Sequence, residues 1–508
     1  MNTRIFIQKK PSFQQKEQSL LEELQQYFSI KSLSIKIIYD IFNIDEKDLD
    51  NAIQQIFSNP VTDECLTTYT PTQPYIATEY LPGQFNQRAD SAEQCLRMLG
   101  IENVSIKTGI LYEFEGISSA EIDAICNILI NPIEMRIKDL TQLELPQSPQ
   151  PKPVPIIENF TVATAEQLNI LHQDFGFSFG LDDLEFIQHY FQKINRNPTE
   201  TELRVLDTYW SDHCRHTTFE TEITSVEFAT QFQNTIQNTY NYYLQLREEL
   251  GIKKPIRLMD LATIIAKYFI KNEQVTNIDI SDEINACSIV VSVDEDGKTE
   301  DWLLQFKNET HNHPTEVEPY GGASTCIGGA IRDPLSGRAY VYQAMRVTGS
   351  ANPLEKRENT LKGKLPQKKI TQEAAHGYST NGNQIGVATT LVKEIYDDGY
   401  KAKRMEVGFV AGAVRKDWVR REKPKAGDVV IILGGKTGRD GIGGATGSSK
   451  VHDGKQLSEM SSEVQKGNAP EERKIQRLFK QKEVLQMIKK CNDFGAGGVA
   501  VAIGEIAE

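Results

Sequence analysis

The stretch FKNETHNHPTEVEPYGGASTCIGGAIRDP, residues 306–334, contains the residues on which the fold and the chemistry of this chain depend. It follows CSIVVSV, DEDGKTE and DWLLQFK, a pattern that predicts a β-hairpin turning at Gly297. Because successive residues of a strand alternate sides, Lys307, Glu309 and His311 are predicted to share one face. A cation, a carboxylate and an imidazole on one face suit a site for phosphate, metal and proton transfer. A solvated strand end is the plainer alternative.

The glycine-rich continuation GGASTCIGGAIRD, residues 321–333, indicates an anion-binding loop. Small residues allow the backbone to approach a ligand closely, and exposed N–H groups form nests for anions. Arg332 and Asp333 then offer a phosphate-binding fork and a metal ligand. A tight turn between two strands explains the same composition equally well.

A second glycine-rich segment, residues 434–447, follows the apolar run Val429–Leu433, which predicts a short buried strand. Seven of its fourteen residues are glycine, more than a turn requires. Val430 and Thr446 stand where a Walker A loop and a dinucleotide fingerprint need glycine. The segment is therefore predicted to be a phosphate-compatible loop of another nucleotide-binding fold.

The last polar motif is CNDFGAGG, residues 491–498. Asp493 beside these glycines could supply a third hard-oxygen metal ligand together with Glu309 and Asp333. An aspartate in such a position is also a common helix N-cap. The motif alone leaves both interpretations open.

Four of the eight histidines fall in two short motifs, His213 and His216 in the first, His311 and His313 in the second. These spacings could bind zinc, so a metal-dependent hydrolase is an alternative function. The glycine-rich segments would have no task in such an enzyme, which disfavours it.

Composition excludes several classes of protein. A chain of 508 residues predicts roughly two to four domains. Its net charge of -14 argues against binding to a nucleic-acid backbone. The seven cysteines are scattered and lack CxxC spacing, and the N-terminal MNTRIFIQKK is too polar for a signal peptide. No apolar run approaches the ~20 residues that cross a bilayer, so a cytoplasmic location is expected.

The N-terminal part is predicted to contain two domains and a linker. IFIQ, QKEQSLLEELQQYF and SLSIKIIYDIF alternate strand, helix and strand patterns, so residues 1–145 are predicted to form a small α/β domain. Prolines then recur within a semi-rigid linker over residues 146–158. Residues 159–220 are predicted to be helical, with Asn197 capping a helix that begins at Pro198.

The remainder alternates helices and strands. Residues 224–270 have mainly helical periodicity, and AYVYQAMRV and MEVGFVAGAV predict further strands. The charged stretch at residues 351–380 shows no period and predicts a long surface loop that could act as a lid.

Four strings of this sequence resemble the phosphoribosylformylglycinamidine synthase family, the formylglycinamide ribonucleotide amidotransferases, in its large single-chain form. They are YWSDHCRHTTF, the opening stretch quoted above, GGKTGRDGIGGATGSS and CNDFGAGGVAVAIGE, in the family's order across residues 209–508. The resemblance implies that ATP phosphorylates the formamide oxygen of formylglycinamide ribonucleotide and that ammonia then displaces phosphate from the iminophosphate. This is chemically reasonable, because an amide oxygen leaves poorly until it is phosphorylated and Mg²⁺ neutralises the triphosphate.

The resemblance also implies roles for individual residues. Catalytic roles fall to His213 and His311, the latter as proton acceptor. Implied ATP contacts are His216, Lys307, Gly322, Ala323, Ser324, Thr325, Gly328, Gly329, Arg332 and Asp333. Implied substrate contacts are Thr310, His311, Asn312, His313, Arg332 and Gln465. Implied magnesium ligands are Glu309, Asp333 and Asp493. Two positions depart from the pattern: His216 stands where small-form relatives carry a nucleotide-contacting tyrosine, and Cys326 replaces a frequent glycine.

The implied fold class is a multidomain α/β (α+β) protein. An AIR-synthetase-like N-terminal domain for ATP and substrate is expected over residues 221–415, and the start of its C-terminal partner, cut short, over residues 416–508. The sister half and the glutaminase domain that supplies ammonia are expected to lie outside this chain, which alone should be inactive. Another ATP-dependent enzyme of the AIR-synthetase superfamily and a nucleotide-binding scaffold remain alternatives.

Overall fold

The computed structural model describes residues 1–145, 152–229, 231–436, 441–449 and 457–507. It divides the chain into two compact units. The first is Met1–Lys152 with two short later segments, and the second comprises Pro153–Gly435, Gly441–Gly454 and Gln465–Glu508. Both units combine helices with strands, so the predicted α/β (α+β) class is confirmed. Within the described residues, every helix is too short or too polar to cross a membrane.

The first unit is built on a six-stranded antiparallel sheet with the order β3-β1-β2-β5-β4-β6. Its strands are β1 (Thr3–Lys9), β2 (Ser32–Phe42), β3 (Asp63–Leu66), β4 (Tyr75–Tyr80), β5 (Ser105–Glu115) and β6 (Met135–Ile137). Its helices are α1 (Gln15–Leu24), α2 (Glu46–Ala52), α3 (Gln87–Met98) and α4 (Ser119–Leu129). The predicted opening of strand, helix and strand is confirmed.

Strand alternation explains why this sheet has one apolar and one mixed face. Tyr39 and Ile41 of β2 point into a core that includes Leu96 of α3. Lys36 and Asp40 lie on the opposite side of the same strand and are also buried, paired with charges of opposite sign.

The second unit opens with four helices, of which the first three surround an apolar core. They are α5 (Ala165–Phe175), α6 (Leu181–Lys193), α7 (Glu200–Tyr209) and α8 (Asp212–Arg215). Leu184, Ile187 and Phe191 repeat at helical spacing and are fully buried in this core. Two longer helices follow, α9 (Gln233–Leu250) and α10 (Leu258–Lys271), as the helical periodicity predicted.

The prediction that Asn197 caps α7 is wrong. Thr199 is the N-cap: its hydroxyl accepts from the Glu202 N–H, and the Glu202 carboxylate accepts from the Thr199 N–H. This reciprocal pair satisfies two backbone donors, which a single cap bond cannot do. The side chain of Asn197 instead accepts from the Thr161 N–H.

A five-stranded sheet with the order β10-β9-β11-β8-β7 forms the centre of the second unit. Its strands are β7 (Cys287–Glu295), β8 (Lys298–Thr310), β9 (Tyr340–Ser350), β10 (Ala388–Tyr396) and β11 (Met405–Arg415). Only the β9–β10 pair is parallel. The predicted β7–β8 hairpin and the strands at β9 and β11 are confirmed, and Gly297 turns with a left-handed φ of 77°.

The helices α11 (Asn312–Val317), α12 (Pro319–Ser336) and α13 (Gln367–Ile385) pack against this sheet. Ile327 of α12 and Tyr378 of α13 meet Val410 of β11 in one buried cluster. A Cβ on Gly377 would lie 2.0 Å from the carbonyl oxygen of Tyr320, so glycine is required where α13 crosses α12. The β8–α12 connection is thereby held against the sheet.

Two loop predictions in this region are wrong. Residues 321–333 are neither a loop nor a turn but most of α12. Glycine disfavours a helix by about 1 kcal/mol per residue, yet here it permits close packing, since a Cβ on Gly322 would lie 2.4 Å from the backbone of Pro314. The predicted loop at residues 351–380 is irregular only in its first half, because α13 begins at Gln367.

After β11 the described residues form the helices α14 (Gly444–Ser448), α15 (Ala469–Leu478), α16 (Lys482–Met487) and α17 (Gly498–Ala507). The predicted buried strand at Val429–Leu433 is wrong, because these five side chains are 52–83% exposed and neither sheet includes them. A strand is stabilised by hydrogen bonds to a neighbour, and no described strand pairs with this run. The predicted phosphate loop at residues 434–447 lies partly outside the described residues.

Candidate functional site

The end of β8 places Lys307 and Glu309 on one face, as strand alternation predicted. The Lys307 Nζ atom lies 3.3 Å from Glu309 Oε2 and 2.9 Å from Asp333 Oδ2, which projects from α12. Burial alone disfavours the ammonium ion, but the charges of Asp333 and Glu309 outweigh it and raise the pKa of Lys307. Residues from both halves of the opening stretch therefore meet at one charged centre.

Arg332 is the second cation of this centre. Its Nε atom donates to Asp493 Oδ1 at 2.8 Å, and its Nη1 atom donates to Glu472 Oε2 at 3.0 Å. Asp493 is not a cap of α17, which begins five residues later at Gly498. Burial works against the charge of Arg332, yet the carboxylates of Asp493 and Glu472 raise its pKa. The N-cap alternative for Asp493 is thus wrong, and its carboxylate belongs to the charged centre.

Glu472 is a member of the site that sequence reasoning missed. It lies on α15 with a side chain 4% exposed, beneath α12. In the sequence it is one of two adjacent glutamates in APEERK, and nothing there separates a buried carboxylate from a solvated one. Helical periodicity could have placed Glu472 and Gln476 on one face, both of which are buried.

The centre contains more negative than positive groups. Among the described residues, Lys307 pairs with Glu309 and Asp333, and Arg332 pairs with Glu472 and Asp493. Burial, reinforced by the charge of Asp493, raises the pKa of Asp333 to about 7. Burial likewise raises the pKa of Glu472 to about 7, although the Arg332 charge opposes it. The centre is therefore suited to an additional cation.

The donor atoms fit magnesium, because carboxylate oxygens are its preferred protein ligands. The three implied ligands Glu309, Asp333 and Asp493 are not preassembled: among the described residues, no three His, Cys, Asp or Glu side chains are arranged to hold a metal ion. Lys307 and Arg332 engage two of these carboxylates instead. The implied magnesium site therefore stays a prediction.

His311 is buried directly after β8. Its Nδ1 atom lies 2.7 Å from the carbonyl oxygen of Gly322, so Nδ1 carries the proton that is donated there. Burial lowers the pKa of His311 to about 4, which keeps the imidazole neutral at physiological pH. Its Nε2 atom is then an acceptor, as the implied role in proton transfer requires.

The acceptor atom of His311 meets the side-chain amide of Gln465 at 3.0 Å. A neutral Nε2 needs a donor, so the amide satisfies it when its NH₂ group faces the imidazole. The structure has the opposite orientation, in which Gln465 Oε1 faces His311. Gln465 Nε2 is then buried with no hydrogen-bond partner among the described residues. The two residues implied to hold substrate therefore contact each other.

The first histidine motif approaches the same centre. The backbone N–H of His213 donates to Ser449 Oγ at 3.0 Å, which ties α8 to the residues after α14. Burial and the nearby His311 lower the pKa of His213, while Glu309 opposes them. The side chain of His216 is exposed, and its backbone lies in the left-handed region with a φ of 53°. The structure thus brings His213, but not the side chain of His216, toward the reactive residues.

The predicted zinc cluster of four histidines is absent from the described residues. Both ring nitrogens of His311 already contact protein atoms, and His216 points to solvent. His313 is buried, with its Nδ1 atom 3.2 Å from Lys403 Nζ. The hydrolase alternative therefore lacks its metal site in this part of the chain.

The other implied substrate contacts have structural partners. Asn312 Oδ1 accepts from the Glu406 N–H at 3.0 Å, which joins α11 to β11. Thr310 is exposed at the last position of β8. Of these residues, only Thr310 presents its side chain freely to solvent.

The implied ATP contacts other than His216 and Lys307 lie on two faces of α12. Gly322 and Ala323 are buried against the sheet and α11, and their N–H groups lie inside a helix, so they form no exposed nest. Thr325, Gly329 and Arg332 are partly accessible on the other face, next to Asp333. Gly328 is buried, and Ser324 accepts a hydrogen bond from Asn381 Nδ2 at 3.2 Å. Cys326 is a buried helical residue at which no unusual backbone freedom is needed.

Two family models match the chain. Residues 168–216 match the formylglycinamide ribonucleotide amidotransferase linker domain, and residues 425–508 match the AIR synthase related protein, C-terminal domain. These segments include the first histidine motif and Asp493, respectively.

Curated relatives are similar over longer stretches. Phosphoribosylformylglycinamidine synthase subunit PurL of Thermoplasma volcanium is 28% identical over 65% of this chain and 37% of its own length. The protein of the same name from Methanothermobacter marburgensis is 32% identical over 41% of this chain and 28% of its own length. Among solved structures, T. maritima PurL complexed with FGAR is 23% identical with a TM-score of 0.41, covering 64% of this chain and 41% of that one.

Three curated relatives match about two thirds of this chain. The matched part is just over a third of each relative's own length. The curated relatives nevertheless share one name, and the linker-domain model refers to the same enzyme. The linker-domain model and the curated relatives agree that this chain is similar to the phosphoribosylformylglycinamidine synthases.

Proposed function

We propose that this chain supplies the ATP- and substrate-binding half of a cytoplasmic ligase that converts formylglycinamide ribonucleotide and ammonia into the corresponding amidine. The observation that supports it most is the charged centre around Lys307 and Arg332, next to the buried, neutral His311. Two cations suit the phosphates of two anionic substrates, and a neutral imidazole suits proton transfer.

In this mechanism the chain first orients the two substrates. Lys307 and Arg332 bind phosphate groups, and the accessible face of α12 with Thr325 and Gly329 lies alongside. The γ-phosphoryl group of ATP is transferred to the formamide oxygen, which releases ADP. Magnesium, held by Glu309, Asp333 and Asp493, would neutralise the triphosphate during this step.

The second step forms the amidine. Ammonia attacks the iminophosphate carbon, the new C–N bond forms, and the C–O bond to phosphate breaks. The attacking nitrogen loses a proton, for which His311 Nε2 is the neutral acceptor once the Gln465 amide has released it. Gln465, in the segment before α15, holds this imidazole through a hydrogen bond to Nε2, and the pKa of His213 is affected by both His311 and Glu309.

The ammonia is proposed to come from hydrolysis of glutamine by a glutaminase domain or subunit outside this chain. Cys326 and Cys491, the two cysteines within the strings that resemble the family, are poor nucleophiles, since burial raises the pKa of both. The free ammonium ion should replace glutamine in an assay.

The test is release of ADP by the full-length protein with Mg²⁺, ATP and ammonium chloride, with and without formylglycinamide ribonucleotide. We expect ADP release that depends on both the ribonucleotide and ammonium, with the ammonium-free reaction as the control. ADP release without ribonucleotide dependence would contradict the proposed substrate. It would instead support another ATP-dependent enzyme of the AIR-synthetase superfamily.

A further inference from the structure

Arg332 is held by carboxylates from two separate segments. Asp493 accepts from Nε at 2.8 Å, and Glu472 accepts from Nη1 at 3.0 Å. Among the described residues the third nitrogen, Nη2, has no hydrogen-bond partner, and the arginine side chain is 25% exposed. Two of the three guanidinium nitrogens are therefore anchored, and the third remains available on the accessible face of α12.

The contact with Glu472 is built into the packing of α12 on α15. A Cβ on Gly328 would lie 3.0 Å from Arg332 Nη1 and 3.2 Å from Glu472 Oε2. A larger residue at position 328 would therefore force the pair apart. Glu472 is buried and has no access to solvent that would let it exchange Arg332 for water.

We infer that Glu472 is a positioning residue, which holds the Arg332 guanidinium so that Nη2 meets a phosphate group of a bound substrate. This rests on the proposed function, because the ligand is taken to be an anionic nucleotide. The guanidinium is planar, so anchoring two nitrogens determines the direction of the third. Asp493 alone would leave the plane free to rotate about its single hydrogen bond.

The phosphate could belong to the ribonucleotide or to ATP, and binding measurements separate the two. The experiment compares Glu472→Gln with wild type in the full-length protein, by calorimetric binding of formylglycinamide ribonucleotide and of ATP and by steady-state kinetics. The glutamine has the same shape but lacks the charge that strengthens the bond to Arg332. Glu471→Gln is the matched control, because Glu471 is the neighbouring carboxylate on α15 and pairs with Lys474 instead.

We expect Glu472→Gln to weaken binding of one of the two nucleotides about 10- to 100-fold and to raise its KM in proportion, with little change in kcat. Glu471→Gln should bind both nucleotides like wild type. Binding of both nucleotides within about twofold of wild type in a folded Glu472→Gln protein would overturn the inference. If the wild type itself binds no ribonucleotide, the proposed function fails first.

A double-mutant cycle separates positioning from a general structural effect. Lysine cannot form the two-sided contact, so Arg332→Lys should itself weaken binding, and Glu472→Gln should then add almost nothing. Additive losses, together with a lowered melting temperature, would mean that Glu472 only supports the packing of α15 and would overturn the inference.

Discussion

Buried charges occur in both units, but they are balanced in one and unbalanced in the other. In the first unit, Lys36 pairs with Glu113, and Lys138 lies between Asp40 and Glu79, with Arg4 also on Asp40. Arg136 also contacts Glu79, so each of these three carboxylates has a cationic partner, and the cluster is balanced in the sense that no carboxylate is in excess. In the second unit, two cations face four carboxylates around Lys307 and Arg332.

This difference separates a structural cluster from a binding site. A balanced buried cluster stabilises the fold only through its own partners, and removing one partner leaves an uncompensated charge. An unbalanced cluster is costly in the free protein and becomes favourable when a ligand supplies the missing charge. The four predictions below test this distinction, from the largest expected effect to the smallest.

The largest effect is expected on turnover. His213→Ala in the full-length protein should lower kcat by about 10²- to 10⁴-fold, because it removes a side chain close to the proposed proton acceptor. ATP binding should be nearly unchanged, since among the described residues neither Lys307 nor Arg332 forms a hydrogen bond or ion pair with His213. Turnover at the wild-type rate would remove His213 from the mechanism, and calorimetric ATP binding provides the control.

Breaking an ion pair of the balanced cluster should lower the stability of the first unit. Glu113→Gln leaves Lys36 buried without a counter-charge and should lower the free energy of unfolding of the first unit by about 3–5 kcal/mol. Glu115→Gln, on the exposed end of the same strand, is the matched control. Urea unfolding of the ligand-free protein measures both. An unchanged unfolding midpoint for Glu113→Gln would mean that this ion pair is not structural.

Removing a carboxylate from the unbalanced cluster should stabilise the protein. Burial raises the pKa of Asp333 to about 7, so the folded state holds its proton more strongly than the unfolded state does. Its stability contribution therefore falls as pH rises from about 4 to about 7. Asp333→Asn should be about 1–2 kcal/mol more stable than wild type at pH 8, while ligase activity is lost.

The pH dependence is the check on that assignment. The stability difference between Asp333→Asn and wild type should shrink as pH is lowered below about 7, because the wild-type carboxyl then becomes protonated. Thermal unfolding at several pH values between 5 and 8 measures it. A constant difference would show that charge is not the cause.

The smallest effect is expected at the N-cap of α7, which lies in neither charge cluster and provides a reference value for the stability changes above. Thr199→Ala removes the N-cap of α7 and should cost about 1 kcal/mol, because a backbone N–H loses its acceptor. Asn197→Ala should cost less if Thr199 is the true cap. Equal decreases in the free energy of unfolding of the two variants would mean that Asn197 stabilises the start of α7 as much as Thr199 does.

Site residues positioned by local strand geometry could be predicted from the sequence, whereas those positioned by helix packing could not. The shared face of Lys307 and Glu309 followed from strand alternation, which is local and strict. The helix α12 was missed because its glycines disfavour a helix locally, and only the close approach to α11 and α13 makes them useful. Glu472 could not be distinguished from Glu471, because burial of one glutamate depends on which face of α15 meets α12.

The sequence by itself determined the class of the fold, the order of most strands and helices, and the residue types available for chemistry. These depend on periodicity, turn residues and short motifs, which are local properties of the chain. Only the tertiary structure decided which charges meet. Arg332 is separated by 140 residues from Glu472 and by 161 from Asp493, so their contact depends on helix packing and is recorded nowhere in the local sequence. Burial then sets the protonation of His311 and of the surrounding carboxylates, because the cost of charge depends on the whole surrounding volume.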